Sequence, residues 1–520
     1  MRFNRLRTMV YLTLYGGVGE IGGNIVLLQD PDNRASILMD FGRNFPTQAR
    51  YYSFPQRPRS SVKLELKKTG LIPTLRDSEG SEVDLYAELE TREILRPYKA
   101  RGHLARNLKR SEVYYSIREP QTPCGISDLF VTHCHSDHVG LAPILRRDIT
   151  VNMGGATHLL YRAYHQAAVK DSIETKLYLT EEDLNARDRT NQPRHNYRNF
   201  RSGVEIAAEE GGLTIIPHSV DHSAPGSYGF LIHSSSGLIV YTGDFRTHGT
   251  AGILTERFLE RIGMEGKLRA LICEGTNLGE AKVFSEEDVK KSARNIVEQS
   301  LKQKNRLVVV EVPQVDIDRV RTFCDVAYEL DLYPLVSKKL ANYLHELSAI
   351  KETFNIPGKP LPALGKNLGI YVEKRHPSHR DRVFLKLEQS YGDFIVDQKA
   401  LCEKLSSEKF LIIDANEMDF FALNPRPGTL CILSTCEPFN EEADFDFERW
   451  KNQLSLFGVI LYHIHASGHC HPLELQRIIS KLEPEVLIPI HTEYPQAFKE
   501  LFESESVHVK IPQKGVPIEV

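Results

Sequence analysis

The chain has 520 residues, 41% of them hydrophobic and 9% aromatic, so it is long enough to form about two to four domains with buried cores. Lysine and arginine total 65 against 69 for aspartate and glutamate, a net charge of −4 that excludes a general attraction to polyanions and leaves only local basic patches. Eight cysteines lie scattered without a CxxC pair, and no apolar run approaches the roughly 18 residues that span a bilayer. These features favour reduced thiols in the cytoplasm over a disulfide framework or a membrane protein.

The first predicted element is a strand over Met9 to Tyr15, which leads into the glycine turn GGVGEIGG at residues 16–23. Glycines at 17, 19 and 22, with Asp40 about twenty residues later, are typical of a dinucleotide-binding turn. A turn of that kind must open a helix, whose N-terminus binds the pyrophosphate, whereas the NIVLLQD that follows is β-like. We therefore predict two strands around a tight turn, the second ending in ILMDFG, and no nicotinamide cofactor.

Further strand-like runs end in polar residues: SDLFVTHCHSDH, LTIIPHSVDHS, LIVYTGDF and LRALICEGTN. From residue 285 the pattern changes to alternating helices and apolar strands. SEED at 285–288 is a helix cap, and RLVVVEV, YPLVSK, KFLIID, GTLCILST and VILYHIHAS read as strands. The alternation predicts a second α/β module with a parallel or mixed sheet. LELQRIISKL then reads as a helix and EVLIPIHTEYP as a final strand.

The most specific motif is HCHSDH at residues 133–138. His133 and His135, two apart in an extended segment, can point toward one cation, while Asp137 and His138 reach a second. His222, Asp244 and His491 occupy comparable strand ends and complete a set of seven ligands, with Asp244 as the bridging carboxylate. Imidazole and carboxylate ligands suit Zn²⁺, and Mn²⁺ where oxygen ligands dominate.

In this order the motifs resemble the metallo-β-lactamase fold and its β-CASP nuclease branch. Glu274 in ICEGTN matches the family's motif A, His469 in HASGHCHP its motif B, and His491 its motif C. GGVGEIGGN and HASGHCHPLEL closely resemble RNase J, and IPIHTEYP is similar to the shorter archaeal-type members of that family. The resemblance implies an α/β fold: a metallo-β-lactamase αββα sandwich with an inserted β-CASP domain. Its parts would be residues 1–276 (with 45–125 as an unmatched insertion), the β-CASP domain at 277–470, and a return to the first domain at 471–520.

The resemblance also implies a function, a metal-dependent ribonuclease with two Zn²⁺ ions. Two cations would lower the pKa of a water they share from about 15.7 to about 7, while Asp137, Glu274 and His469 take catalytic roles. His469 would protonate the leaving oxygen, and Glu274 would orient His469. The loop formed by His465, Ala466, Ser467, Gly468 and His469 would hold a substrate phosphate and favour 5′→3′ exonucleolysis of single-stranded RNA. Asp40 is expected to support the metal shell and not to bind metal.

Several alternatives stay open. A β-CASP DNA nuclease is the nearest rival, followed by an endoribonuclease without exonuclease activity, and a homodimer is one assembly to test. Basic stretches at 96–110, 189–201 and 373–382 are either solvated faces or RNA-binding surfaces. Whether His158, His233 and His248 lie near the site is left open by the sequence, and Cys134 and Cys470 are interpreted as buried thiols.

Overall fold

The fold is taken from a computed structural model of the chain. It describes residues 9–52, 62–76, 81–97, 109–118, 124–167, 194–279, 284–313, 315–350, 360–374, 381–415, 418–436 and 441–520; within these, only the backbone is described for 88–97, 109–118, 167, 382 and 441–446. The three basic stretches named above therefore lie partly outside the described residues.

The strands, in chain order, are β1 (Tyr11–Gly16), β2 (Ile25–Asp30), β3 (Ala35–Phe41), β4 (Glu88–Pro97), β5 (Lys109–Arg118), β6 (Asp128–Phe130), β7 (Thr150–Gly154), β8 (Tyr197–Phe200), β9 (Ile206–Ala207), β10 (Thr214–Val220), β11 (Ser227–Ser234), β12 (Gly237–Tyr241), β13 (Leu268–Glu274), β14 (Leu307–Glu311), β15 (Tyr333–Ser337), β16 (Gly369–Val372), β17 (Ile395–Asp397), β18 (Phe410–Ile413), β19 (Leu430–Leu433), β20 (Ile460–His463), β21 (Val486–Ile490), β22 (His508–Val509) and β23 (Pro517–Glu519).

The α-helices are α1 (Phe45–Ala49), α2 (Val62–Lys68), α3 (Ser136–Val139), α4 (Gly155–Ala167), α5 (Gly252–Met264), α6 (Glu286–Lys302), α7 (Ile317–Glu329), α8 (Lys338–Leu347), α9 (Arg382–Tyr391), α10 (Gln398–Lys404), α11 (Phe420–Leu423), α12 (Glu441–Leu456), α13 (Pro472–Leu482) and α14 (Pro495–Phe502). Across the described residues, no helix is long and apolar enough to cross a membrane.

Two sheets pack face to face and form the sandwich. In the described chain the first has the order β23-β1-β2-β3-β6-β7-β8 and the second β22-β21-β13-β12-β11-β10-β9. Side chains from both sheets, among them Leu12, Ile232 and Ile488, share one buried cluster between them. The outer faces are covered by helices, α2 and α4 on the first sheet and α5, α13 and α14 on the second. Because apolar residues occupy both faces of each sheet, four layers are needed to remove them from water.

The third sheet belongs to the second α/β module and has the order β17-β16-β15-β18-β14-β19-β20. All of its strand pairs are parallel, within the predicted range of parallel or mixed. Apolar clusters cover both faces, as parallel sheets require. Helix α6 begins where SEED predicted, since Ser285 and Asp288 form a reciprocal capping box.

The second module is inserted between neighbouring strands of the second sheet. Strand β13 pairs in parallel with β21, and Glu274 lies opposite Ile490. The chain thus leaves the sandwich after Glu274 and returns beside its own point of departure. The predicted divisions after residues 276 and 470 stay predictions.

The prediction of two strands over residues 9–43 is wrong, because the chain forms three. The missed turn lies between β2 and β3, where the Asp30 carboxylate accepts a hydrogen bond from the Asn33 N–H at 3.1 Å and Arg34 adopts a φ of 53°. The glycine turn itself joins β1 to an antiparallel strand and opens no helix. Within the predicted insertion at 45–125, the described residues form α1, α2 and the antiparallel hairpin β4–β5.

Candidate metal centre

The HCHSDH motif directly follows β6, at one edge of the sandwich. His133 and His138 are fully buried, and His135 precedes the short helix α3 as its N-cap residue. His135 Nδ1 lies 2.9 Å from His133 Nε2 and 3.1 Å from His222 Nε2. These three histidines form one potential metal-binding triad, in which the HxH pair of the motif is joined by His222, which follows β10.

A second triad is formed by Asp137, His138 and His491. Asp137 Oδ2 lies 3.2 Å from His491 Nε2 and 3.8 Å from His138 Nε2. His491 comes from the end of β21, more than three hundred residues further along the chain. The turn after the HxH pair therefore supplies a second set of donors that the last central strand completes.

Asp244, which follows β12, lies between the two triads. Its Oδ2 atom is 3.1 Å from His138 Nε2, 3.7 Å from His491 Nε2 and 3.8 Å from His133 Nε2. Its other oxygen, Oδ1, is buried and accepts no hydrogen bond from the described residues. A buried, unpaired carboxylate oxygen is costly unless a cation compensates it, so this position fits a bridging ligand.

Hydrogen bonds to the Nδ1 atoms fix the orientation of several imidazoles. The Asp40 carboxylate lies 2.8 Å from His138 Nδ1, and the Gly468 carbonyl lies 2.6 Å from His222 Nδ1. Because these oxygens can only accept, each Nδ1 carries the proton and each Nε2 presents its lone pair to the site. Such outer partners are typical of histidines that bind metal.

The same reasoning applies to His133 and His491. The hydroxyls of Thr132 and Thr276 donate to carboxylates, so each accepts from the neighbouring Nδ1–H, at 3.0 Å from His133 and 2.8 Å from His491. Four histidines thus direct Nε2 inward. The donor set fits a pair of divalent cations.

The charges of the site favour the protonation states that metal ligands need. Burial, reinforced by neighbouring histidines, holds the pKa of His133 and His222 well below the ordinary value, and burial lowers the pKa of His135 to about 4. Although burial alone would raise it, the surrounding histidines hold the pKa of Asp244 well below its usual range. His138 differs: despite burial, Asp244 and Asp40 hold its pKa well above the ordinary value. A cation would take the place of that proton.

Asp40 supports the site from behind. Its carboxylate accepts hydrogen bonds from the Thr132 N–H, the Thr132 hydroxyl and the Tyr241 hydroxyl, each at 2.8 Å, besides its contact with His138. With both oxygens so engaged, it is poorly placed to bind a metal itself. Asp40 and His491 both adopt a left-handed backbone, with φ of 55° and 53°. Strained backbone at two residues of one cluster is common at functional sites.

The glycine turn packs against the donor residues. The Gly17 carbonyl accepts a hydrogen bond from the His491 N–H at 2.8 Å, and the Asn24 N–H donates to the Asp137 carbonyl at 2.9 Å. A side chain on Gly22 would place its Cβ 3.0 Å from Asp137 Oδ2, and φ there is 82°. The glycines permit the predicted tight turn, and these contacts place that turn beside the site.

Motifs A, B and C meet at one hydroxyl, that of Thr276. It donates to Glu274 Oε2 at 2.8 Å and lies 3.1 Å from His469 Nδ1 and 2.8 Å from His491 Nδ1. Glu274 Oε1 is 3.5 Å from His469 Nδ1. Burial lowers the pKa of His469, but Glu274 and Asp244 outweigh burial and raise it to about 9. Sequence reasoning missed Thr276, although it stands in the ICEGTN motif.

The loop at 465–468 lies beside His222, and its carbonyls are held by side chains. Ala466 O accepts from Arg319 at 3.1 Å, and Ser467 O lies 3.3 Å from Arg246 Nη1. In the part of the chain that the structure describes, the N–H groups of Ala466, Ser467 and Gly468 donate to no protein acceptor. Backbone N–H groups without a protein acceptor can donate to a bound ligand, so this loop is suited to bind an anion.

Of the remaining histidines considered from the sequence, one lies beside the site and two lie outside it. His248 lies 2.9 Å from Ser467 O, beside the loop, whereas His158 packs on Tyr197 and His233 lies 3.6 Å from Glu265, outside the cluster. None of the eight cysteines, all within the described residues, forms a disulfide, and burial raises the pKa of the Cys134 thiol to about 12. Arg246 and Arg319 were not found from the sequence, since no local motif marks them.

Family models match two parts of the chain. The Metallo-beta-lactamase superfamily model matches residues 105–299, and the model of the Zn-dependent metallo-hydrolase RNA specificity domain matches residues 460–512. A crystal structure of a protein of unknown function from Enterococcus faecalis V583 has the same fold, with a TM-score of 0.67 at 19% identity, covering 98% of this chain and 100% of that one. The chain is thus an α/β protein: a metallo-β-lactamase αββα sandwich with an inserted β-CASP domain.

Curated relatives refine this class. Ribonuclease J of Mycoplasma pneumoniae is 24% identical over 71% of this chain and 58% of its own length, and Ribonuclease J of Sinorhizobium meliloti is 24% identical over 93% and 69%. Ribonuclease J of Helicobacter pylori is 19% identical over 98% and 60%. The chain is thus similar in sequence to ribonuclease J proteins over most of its length. It spans about three-fifths of the length of the first relatives it matches.

Proposed function

We propose that this protein is a divalent-metal-dependent ribonuclease that hydrolyses RNA phosphodiesters. The proposal is supported by the similarity to proteins named Ribonuclease J, by the RNA specificity domain model matched at residues 460–512, and by two donor triads with Asp244 between them. His133, His135 and His222 would hold one cation, and Asp137, His138 and His491 the other. Zn²⁺ is the proposed metal, and Mn²⁺ is the alternative.

The chain's own residues orient the substrate and move a proton. When bound, the cations would lower the pKa of a water and offset charge on the phosphate oxygens. His469 would donate a proton to the leaving oxygen from Nε2, because Nδ1 faces Glu274 and Thr276. Glu274 is buried and accepts from the Cys470 N–H at 3.2 Å, so it is held firmly beside that imidazole.

One observation favours recognition of a terminal phosphate. The N–H groups of Ala466, Ser467 and Gly468 have no acceptor among the described residues, and they lie next to His222, whose Nδ1 contacts Gly468 O. A 5′-monophosphate bound by these groups would place the first linkage of single-stranded RNA at the metal donors. We therefore propose 5′→3′ exonuclease activity that depends on a 5′-monophosphate. Cytoplasmic location and a homodimer are further proposals that need separate tests.

The decisive experiment is a time course with metal-loaded protein on one labelled RNA carrying a 5′-monophosphate, a 5′-triphosphate or a 5′-hydroxyl. Mononucleotide release from the monophosphate RNA alone is expected. Internal fragments from all three RNAs would indicate an endonuclease, and equal cleavage of the same sequence as DNA would favour the DNA nuclease alternative.

Variants identify the site responsible for the activity. Asp137→Asn should abolish cleavage, because the second triad loses its carboxylate donor. His233→Gln is the matched control, since that histidine pairs with Glu265 on the surface, outside the cluster. RNA hydrolysis that survives in a folded Asp137→Asn protein would refute the proposed centre.

A further inference from the structure

Two buried arginines, one from each domain, contact successive carbonyls of the 465–468 loop. Arg319 on α7 donates to Ala466 O at 3.1 Å. Arg246, which follows β12 of the sandwich, donates to Ser467 O at 3.3 Å. Both guanidinium groups are completely buried. The loop is therefore held from the β-CASP side and from the sandwich side at once.

Each arginine is itself fixed by an acidic partner. Arg319 forms a fork with Glu286, at 2.9 Å from Nε to Oε1 and 3.1 Å from Nη2 to Oε2, and it also donates to Ser434 O at 2.7 Å. Arg246 Nε donates to Asp221 at 3.2 Å. A planar guanidinium fork held in this way has little freedom, so it can act as a rigid support.

The position of a carbonyl determines where the next N–H points. A trans peptide is planar, and its C=O and N–H point in opposite directions. When Arg319 holds Ala466 O, the N–H of Ser467 faces away from it. When Arg246 holds Ser467 O, the N–H of Gly468 faces away likewise. These are two of the loop's three unpaired N–H groups.

We propose that Arg319 and Arg246 are positioning residues that direct the Ser467 and Gly468 N–H groups toward a 5′-phosphate, so that recognition of the RNA end requires both domains to be docked. The inference rests on the proposed function, because it needs a phosphate at this loop. Neither arginine touches the substrate in this arrangement. Their effect is on preference for a phosphorylated end.

The test measures binding without hydrolysis. Metal-free protein is titrated with one short RNA carrying either a 5′-phosphate or a 5′-hydroxyl, and the ratio of the two dissociation constants is the readout. Arg319→Lys and Arg246→Lys keep the positive charge but lose the planar guanidinium group. Each should reduce the ratio of dissociation constants by about tenfold, which corresponds to the loss of one hydrogen bond from an N–H group to the charged phosphate. Arg162→Lys is the matched control, because Arg162 pairs with Glu346 away from the loop. Thermal melting checks that each variant is folded.

The outcomes separate the inference from the proposed function. A wild-type preference for the phosphorylated end that both lysine variants retain would overturn the positioning role and leave the phosphate loop intact. No wild-type preference at all would overturn the loop assignment and the inference with it. If the lysine variants lose the preference for the phosphorylated end, and the wild-type protein hydrolyses no RNA, the inference is supported and the proposed ribonuclease activity is refuted.

Discussion

Replacing Thr276 with valine should weaken metal binding without unfolding the protein. Valine has nearly the same shape as threonine but has no hydroxyl, so His491 Nδ1 loses its partner at 2.8 Å and Glu274 Oε2 keeps only the Thr276 N–H at 2.9 Å. His491 is then free to turn or to move its proton to Nε2, the atom that faces Asp137.

The expected loss of zinc affinity follows from the hydrogen bonds that Thr276→Val removes. Hydrogen bonds to charged groups contribute about 1.5–3 kcal/mol each, and loss of an outer partner of a metal-binding histidine typically costs about 10–100-fold in metal affinity. That range corresponds to about 1.4–2.8 kcal/mol, so the two figures agree. We expect a 10–100-fold weaker zinc affinity for Thr276→Val.

The assay is competition for Zn²⁺ between metal-free protein and a coloured chelator, with the thermal midpoint of the metal-free protein as a check on folding. Thr276→Ser retains the hydroxyl and is the matched control, expected to bind within about threefold of wild type. Equal zinc affinity for the valine and serine variants would refute the idea that this hydroxyl orients His491.

Two further predictions concern the glycine turn and a buried ion pair. Gly22→Ala and Gly19→Ala should each lower the unfolding free energy by about 1–2 kcal/mol, because both residues have positive φ. Only Gly22→Ala should also lower the metal content, since its Cβ would contact Asp137, whereas a Cβ at Gly19 would have no atom within 4 Å. Equal metal content in the two variants would contradict this. Burial alone would raise the pKa of Glu286, but Arg319 lowers it to about 2. The contribution of the Glu286–Arg319 ion pair to the unfolding free energy is therefore complete above about pH 4.5 and is lost as the pH falls toward 2. In denaturant unfolding, Glu286→Gln should be less stable than wild type by about 3 kcal/mol at pH 7 and by about 2 kcal/mol at pH 3.5. A stability difference that increased on acidification would contradict the predicted direction of the pH dependence.

The candidate donor residues could be selected from the sequence because their spacing is a local feature, and the structure brings them into one cluster, although their role as metal ligands stays a prediction. HCHSDH places two kinds of ligand within six residues, and the other donors each follow an apolar strand. Parallel strands end at one edge of a sheet, so residues at those ends meet. The sandwich and the inserted α/β module follow from the same alternation of strands and helices.

Other features depend on contacts that no local pattern contains. Arg246 and Arg319 stand in ordinary helix and loop sequence, and only the packing of two domains brings them to successive carbonyls of one loop. The missed turn after β2 is different. Pro31, Asp32 and Asn33 are typical turn residues, but the apolar residues on both sides of them make the whole segment resemble one long strand.

The pairing of β13 with β21 also bears on how the protein is made. Glu274 is synthesised more than two hundred residues before His491, although the two strands that carry them are neighbours. A nascent chain can complete the β-CASP sheet and still lack the strand that supplies the last donor. The proposed nuclease can therefore be assembled only after β21 has been synthesised, so a ribosome that has not yet translated β21 carries no complete active centre close to the message it is reading.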